Sequence, residues 1–430
     1  MMFKNLFYSY KQLPKNVHSL ILLELSTNLI HVAFILILNI FLRKKGFNDP
    51  EIASFNSLRF IGALIFALPL GIYIRNKNLK PFLLIGSVII PSSSILIIES
   101  IHRMFIPFIQ FSFLLWGIGM MLVRVCSLPF IIRNTNPNNS SEALSLSAST
   151  WSFSTVISGL IIGVLDWVGT IYIGNLSMVI TERSILWLIT ILGSCAFFAA
   201  CNIKEDNKPN AEIRIGFFSM NNSYDWNRIL KAISPLILIS VGAGLTIPFI
   251  NLFFNSIFGL TASQFSIMGS ASAILVFVFS LLVPYLGKKY GYWLTIIIVQ
   301  LLSILCLITM AMMELYSRLP FAFTVAVLAY IFRQPLMHMA HPASNELMMS
   351  YVGKKNQELI SALSSSLWSA SWFFSAKVFE WMRLANFRYV EIFIITAILY
   401  ILGVVFYAFL IMEHKKIGEI NQENILQYSK

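Results

Sequence analysis

The sequence contains little charge. Only 12% of its 430 residues are Asp, Glu, Lys or Arg, whereas 57% are hydrophobic and the mean hydropathy is +0.76. A typical water-soluble domain has about 25% charged residues, so this composition excludes an ordinary soluble fold. The sequence therefore predicts a polytopic integral membrane protein.

Cysteine is also scarce, and the usual signatures of enzymes are missing. The four cysteines lie in apolar stretches without metal-ligand spacing, which indicates small packing residues: Cys126, Cys195, Cys201 and Cys306. The sequence has no nucleotide-binding loop, metallopeptidase helix or nucleophile elbow. We therefore expect neither an enzyme nor an ATP-driven pump, and we expect no cofactor and no bound metal.

Long polar stretches are absent except for one, at residues 204–231. Six apolar stretches precede it and six follow it, each near the roughly 20 residues that a helix needs to cross a bilayer. Helices are favoured over a β-barrel because the apolar runs are continuous. The predicted spans are 17–42, 52–74, 81–99, 106–132, 143–166, 184–203, 232–256, 264–286, 293–313, 320–342, 359–382 and 390–412. The sequence thus predicts an all-α fold with two six-helix bundles, 1–203 and 232–412, a linker at 204–231 and a tail at 413–430.

The net charge of +12 comes mostly from Lys and Arg in short loops beside these spans. Such a distribution is a topology signal, and we expect no nucleic-acid partner. The basic residues concentrate on the side that holds both termini and the linker, so the positive-inside rule places that side in the cytoplasm. The loop Arg43-Lys44-Lys45 is an exception. We expect a monomer embedded in the lipid bilayer of a bacterial inner membrane.

The two halves of the chain echo each other. Segment 46–52 (GFNDPEI) returns about half a chain later as segment 259–265 (GLTASQF), and segment 151–154 (WSFS) returns at a similar offset as 368–371 (WSAS). Two matches at nearly one offset indicate a duplicated six-helix unit. In transporters, such parallel repeats place the binding site between the halves near the midplane of the membrane.

The turn after the second span carries a further signal. It reads GIYIRNKNLK at 71–80, and its counterpart in the second half reads PYLGKKYG at 284–291. Together with the six-plus-six spans and the polar linker, these residues resemble the major facilitator superfamily. The resemblance implies bundles that rock about a central site and a gating turn at Gly71 and Arg75. Arg75 stands where the family has an aspartate, which departs from the usual charge relay at that gate.

Polar residues inside the spans mark the candidate site. A charged group at the centre of a membrane helix costs about 2.5 to 3.5 kcal/mol on insertion scales, so it should face a cavity or a partner. The first, fourth, seventh and tenth spans carry such residues at helical spacing. The candidates for substrate binding or coupling are Glu24, Asn28, His31, Arg124, Asn251, Arg333, His338 and His341. Alternatively, the asparagines and serines only join helices by hydrogen bonds.

Depth in the membrane suggests a pairing. Glu24 and Arg124 lie at similar distances from the predicted cytoplasmic ends of their spans, so we predict an ion pair whose opening lets Glu24 exchange a coupling proton. A permanent structural pair is the alternative. Arg333 near the midplane would suit an anionic group on the substrate. Four tryptophans could stack on a ring, although tryptophans of packed helices are more often core residues: Trp116, Trp151, Trp368 and Trp372.

Two further pairs of polar residues suggest specific contacts. We predict that Arg59 and Glu380 form an outer gate, with the alternative that Glu380 pairs with Lys377 three residues earlier. His338 and His341 have a spacing that could hold a metal ion on one helix face, although no third ligand is evident.

The sequence therefore favours a secondary active transporter for a small organic solute, working by alternating access and coupled to protons. The alternatives are a non-transporting membrane sensor or structural protein of the same fold, and a carrier of metals or metal chelates.

Overall fold

The computed structural model describes residues 13–74, 77–135, 140–173, 176–204, 225–353 and 356–428. The predicted gating residue Arg75 and most of the predicted linker, 205–224, lie outside these ranges.

Long helices make up nearly all of the described chain. The first half contains α1 (Lys15–Lys44), α2 (Asp49–Tyr73), α3 (Lys80–His102), α4 (Ile106–Asn134), α5 (Ser140–Val168) and α6 (Glu182–Cys201). The second half contains α7 (Trp226–Phe258), α8 (Ala262–Tyr292), α9 (Val299–Met312 after the π-helical turn Trp293–Ile298), α10 (Ala322–Val352), α11 (Gln357–Leu384) and α12 (Tyr389–Tyr428).

Local sequence explains several helix ends. Thr181 and Ser184 form a capping box that begins α6, and the Asp225 side chain accepts a hydrogen bond from the Arg228 backbone at the start of α7. Gly259 ends α7 in the left-handed conformation with φ 67°, and Gly291 separates α8 from α9 at φ 66°. Glycine fits both positions because it lacks a Cβ.

A short β-hairpin, which was not predicted from the sequence, joins α5 to α6. Strands β1 (Thr170–Ile173) and β2 (Leu176–Val179) pair antiparallel, with Thr170 opposite Val179 and Ile173 opposite Leu176. The hairpin forms because this connection is rich in β-branched residues, which favour extended backbone.

Nine of the described helices are long and apolar enough to cross a membrane. The helical, multi-pass class predicted from the sequence is therefore confirmed, while the count of twelve spans stays a prediction. The outer face of α12 illustrates the pattern, since it exposes large apolar side chains one helical turn apart: Ile398, Leu402, Val405, Phe406 and Phe409. A continuous apolar face of this kind suits contact with lipid acyl chains rather than water.

The described chain divides into two compact units. The first contains α1 to α6 together with Pro248–Ile274 and Ala376–Ala385 from the second half. Within it α1 packs on α5 and α6, and α4 packs on α2 and α3. Gly117 lets α4 approach α2 closely, because an added Cβ would lie 2.7 Å from the carbonyl carbon of Arg59. This contact fixes the rotation of α2 against α4.

The second unit contains the first part of α7, the remainder of α8, α9, α10, most of α11, and α12. Within it α7 packs on α12, and α9 packs on both α10 and α12. The hydroxyls of Thr246 and Thr396 join α7 to α12 at 2.8 Å, and Ser240 donates to Ser371 at 2.8 Å, joining α7 to α11.

Candidate functional site

The polar face of α1 is turned toward α5. The carboxylate of Glu24, only 7% exposed, accepts a hydrogen bond from the Ser147 hydroxyl of α5 at 2.7 Å. One turn further along α1, the Asn28 amide donates to the Thr150 hydroxyl at 2.9 Å. Glu24 is thus held by a neutral hydroxyl group from α5.

The predicted Glu24–Arg124 ion pair is not formed in the described part of the chain. Glu24 is hydrogen-bonded to Ser147 of α5 instead, and the Arg124 side chain is exposed. Counting residues from the helix ends estimates the height of each group on its helix, but it cannot give the rotation of α4. Arg124 instead lies close enough to His31 to interact with it electrostatically.

His31 lies within a group of aromatic rings. Its ring centroid is 5.1 Å from that of Trp116 on α4 and 5.2 Å from that of Trp151 on α5. Phe34 adds a fourth ring, 5.1 Å from Trp116. Trp116 is fully buried, and neither its indole Nε1 nor His31 Nδ1 has a hydrogen-bond partner in the described chain.

Arg59 belongs to the same group, and its predicted pairing with Glu380 is not formed among the described residues. The predicted gate partner Glu380 pairs with Lys377 at 2.7 Å, which is the alternative that the sequence had left open. Arg59 is 6% exposed, and its guanidinium carbon lies 5.7 Å from the Trp116 ring centroid and 4.5 Å from that of Phe60. The correction has a steric cause, because the close approach at Gly117 holds this stretch of α2 against α4 and Trp116. We call His31, Arg59, Trp116 and Trp151 the His31 cluster.

A second polar group, missed from the sequence, lies at the other end of the same unit. Asp49 at the start of α2 pairs with Arg43 of α1 and, at 3.0 Å, with Arg383 of α11. Arg43 also donates to the Leu252 carbonyl and the Asn255 side chain, each at 3.0 Å. We call Arg43, Asp49, Asn255 and Arg383 the outer network, after the predicted orientation. The sequence did contain a signal for this network. Arg43 belongs to the loop that departs from the positive-inside rule, and Asp49 lies six residues after it.

Asn251 takes part in helix packing near this network. Its side chain accepts from Asn39 at 3.2 Å and donates to the Ile35 carbonyl at 3.1 Å, while Asn39 also accepts from Asn56 at 2.9 Å. These bonds match the alternative in which the asparagines only join helices, and they leave the Asn251 amide engaged.

Arg333 is completely buried inside the second unit. Its Nη2 donates to the Tyr400 hydroxyl of α12 at 3.3 Å, and its backbone carbonyl accepts from Ser303 of α9 at 3.2 Å. Nε and Nη1 have no partner in the described chain. The side chain therefore points among α9, α10 and α12.

The other candidates in the second half are exposed. His338 and His341 lie on α10, where His341 contacts the Asn345 amide at 3.2 Å and packs edge-on against Trp368 with centroids 6.1 Å apart. Across the described residues, no group of three or more His, Cys, Asp or Glu side chains is arranged to hold a metal ion. Of the predicted gating turn, Gly71 lies in α2.

A multi-pass helical bundle with buried polar groups on its inner helices is the architecture of a membrane transport protein. The chain belongs to the Major Facilitator Superfamily, whose family model matches residues 20–376. The resemblance drawn from the repeats and the turn at 71–80 is therefore confirmed, and the protein is a transporter rather than an enzyme.

Solved structures of transporters share the fold. The xylose transporter XylE from E. coli, in an inward open conformation, has a TM-score of 0.67 at 14% identity over 94% of this chain and 95% of that chain. The POT family transporter PepTSo gives 0.70 at 12% identity over 94% and 99%. A bacterial homologue of the iron transporter ferroportin, in an inward-facing state, gives 0.70 at 11% over 92% and 98%. No curated protein sequence matches the chain. At such low identity these likenesses show the fold alone.

Proposed function

We propose that the chain is a secondary active transporter that moves a small organic solute by alternating access, coupled to a proton carried by Glu24. The observation that supports it best is the buried carboxylate of Glu24, which the neutral Ser147 hydroxyl holds in place. A buried charge is expensive in a membrane helix, so a carboxyl group at this position suggests a function.

The partner of Glu24 suits a proton that comes and goes. A hydroxyl can donate to a carboxylate and can also accept from a protonated carboxyl group, since it carries both a proton and lone pairs. Ser147 can therefore satisfy both states of Glu24 by rotating its hydroxyl. An arginine partner would have favoured only the charged state.

The outer network suits a gate. Asp49 joins α1, α2 and α11 through Arg43 and Arg383, and Lys377 of α11 donates to the Ser54 hydroxyl of α2 at 3.1 Å. Alternating access requires this end to open, so these contacts would have to break and re-form in each cycle. Partly exposed ion pairs are weak enough to do so without a large barrier.

We extend the proposal to topology and assembly. Both termini would be cytoplasmic in a bacterial inner membrane, the bundles would comprise residues 1–203 and 232–412, and the protein would act as a monomer. The distribution of Lys and Arg among the loops supports the orientation. Residues of the gating turn, Gly71 and Arg75, would contribute to closure on the cytoplasmic side.

Proton movement tests the function. Purified protein is reconstituted into liposomes that contain a pH-sensitive dye, and solutes are added outside without a pH gradient. We expect a transported solute to change the internal pH, and Glu24→Gln to abolish that change while solute exchange continues. Glu391→Gln, at an exposed carboxylate on α12, is the matched control. If Glu24→Gln moves protons like the unmodified protein, the coupling role is wrong.

The same experiment addresses the sensor alternative. A protein that binds solutes in detergent but gives neither solute flux nor proton movement in liposomes would be a sensor rather than a transporter. Retention of flux excludes it.

A further inference from the structure

We propose that the His31 cluster, with Arg124, binds the anionic group of a planar aromatic solute. The inference rests on the proposed function and adds the chemical class of the substrate. It also gives Arg59 a role in substrate recognition instead of gating.

The charge of Arg59 is not balanced by the protein. Its side chain is only 6% exposed, yet it forms no ion pair with any described residue. Glu24, an acidic residue of α1 in the same unit, is hydrogen-bonded to the Ser147 hydroxyl. A buried cation without a counter-ion is destabilising by several kcal/mol, so a ligand that supplies a negative charge would be favoured here.

Basic groups from three helices converge on this place. His31 of α1 interacts electrostatically with both Arg59 of α2 and Arg124 of α4. Arg124 is exposed and also lacks an ion-pair partner among the described residues. The local balance is therefore positive, which suits a carboxylate or a phosphate group.

Unused hydrogen-bonding atoms point to the same ligand. Three buried atoms have no partner in the described chain: His31 Nδ1, Arg59 Nε and Trp116 Nε1. Arginine Nε and indole Nε1 can only donate hydrogen bonds. Buried donors are almost always satisfied in folded proteins, so an acceptor is expected from outside the chain. Carboxylate and phosphate oxygens are acceptors.

The rings define the rest of the solute. The centroids of Trp116 and Trp151 lie 5.1 and 5.2 Å from that of His31, while His31 and Trp151 remain partly exposed. Such spacing is typical of tilted aromatic contacts, and a flat ring could pack beside these open faces. Arg59 already lies near the Trp116 ring, at 5.7 Å from its centroid. An aromatic anion therefore matches the site better than an aliphatic anion or a cation.

Arg333 is a weaker candidate for an anion site. One of its nitrogens already donates to Tyr400, and its side chain is completely buried among helices of the second unit. The cluster around His31 combines charge, free donors and rings.

Binding to the full-length purified protein tests the inference without requiring transport. Calorimetric titrations would use benzoate and phenyl phosphate as aromatic anions, benzamide as a neutral aromatic, benzylamine as an aromatic cation and cyclohexanecarboxylate as a non-aromatic anion. We expect at least one aromatic anion to bind at least about tenfold more tightly than the three comparison compounds. Equal binding of all five, or no binding of either aromatic anion, would overturn the proposal.

Variants locate the site. We expect Arg59→Gln to weaken aromatic-anion binding about tenfold or more, Arg59→Lys to weaken it less, and Trp116→Phe to reduce the preference for aromatic over non-aromatic anions. Arg103→Gln, at an exposed arginine in the same unit, should bind like the unmodified protein. If Arg59→Gln does not fold, Arg124→Gln provides the test, and unchanged binding in that exposed-site variant would contradict the proposal.

The failure of this inference can be separated from a failure of the proposed function. Aromatic-anion binding without flux in liposomes would support the inference and contradict transport. Proton-coupled flux of neutral or cationic solutes, with no binding of benzoate or phenyl phosphate, would support transport and contradict the inference.

Discussion

Asp49 accepts a hydrogen bond from Arg383 at 3.0 Å, although the two residues lie in different halves of the sequence. Asp49 is only 6% exposed and also pairs with Arg43, so one carboxylate serves two guanidinium groups. Removal of the carboxylate would leave two neighbouring cations without their shared anion. This relationship makes Asp49 the residue on which the integrity of the outer network depends.

Asp49→Asn should open the outer end of the first unit. The two arginines would repel each other after the substitution, because the neutral amide of asparagine cannot balance their charges. We expect labelling of Leu260→Cys, at a position 5% exposed at the end of α7, to become on the order of tenfold faster with a membrane-impermeant maleimide. The background would have its four native cysteines replaced by alanine.

The matched control for this labelling is Asp49→Glu, which keeps the charge. Its labelling rate should stay near that of the parent. If Leu260→Cys is labelled no faster in the Asp49→Asn variant than in the parent, the outer network does not hold this end closed.

Gly159→Val should block closure at α5 and α8. A Cβ at Gly159 would lie 2.6 Å from the Ser266 carbonyl oxygen, which belongs to backbone and cannot rotate away. We expect solute flux in liposomes to fall at least about tenfold, while labelling of Leu260→Cys rises because the two helices are held apart. Gly163→Ala is the milder control, since its Cβ meets the Ile267 side chain at 2.9 Å. Flux equal in both variants would contradict the argument.

Crosslinking should distinguish the observed contacts from the gate predicted by sequence. Lys377 donates to Ser54 at 3.1 Å, whereas Arg59 lies against Trp116 and Glu380 pairs with Lys377. In the cysteine-free background, a short bifunctional thiol reagent should join Ser54→Cys to Lys377→Cys. The pair Arg59→Cys and Glu380→Cys should remain unlinked. Efficient linking of that second pair would support the Arg59–Glu380 gate predicted from the sequence.

Tyr400→Phe should destabilise the second unit without affecting anion selectivity. The substitution keeps the ring against Gly242 but removes the hydroxyl that accepts from Arg333. A buried donor left without a partner costs about 1 to 3 kcal/mol, so we expect unfolding at a lower temperature. Thermal unfolding in detergent measures the effect, and Tyr316→Phe, at a tyrosine 50% exposed, is the control. An unchanged unfolding temperature would mean that the Arg333–Tyr400 hydrogen bond does not contribute to the stability of the protein.

Much of the fold could be predicted because its signals are local. Hydropathy identified the helices, since each apolar run must satisfy its own backbone in a bilayer. The repeats and the turn at 71–80 pointed to the Major Facilitator Superfamily, and the match of its family model to residues 20–376 confirmed that family. The hairpin at Thr170–Ile173 and Leu176–Val179 escaped notice because it occupies a short connection between two strong helical patterns.

The site could be predicted only in part. Spacing on α1 singled out Glu24 and His31, and both lie among groups from neighbouring helices. The partners were wrong for Glu24 and Arg59, because a sequence gives the height of a residue on its helix but not the rotation of the helix facing it.

The amino-acid sequence by itself determined that this protein is a helical, multi-pass membrane protein, since composition and periodicity act within each segment, and its family motifs implied transport. Only the tertiary structure decided that Arg59 lies with His31 and that Asp49 joins Arg43 to Arg383. Those pairings depend on how closely helices approach, as at Gly117, and close approach is a property of two packed surfaces rather than of either sequence alone.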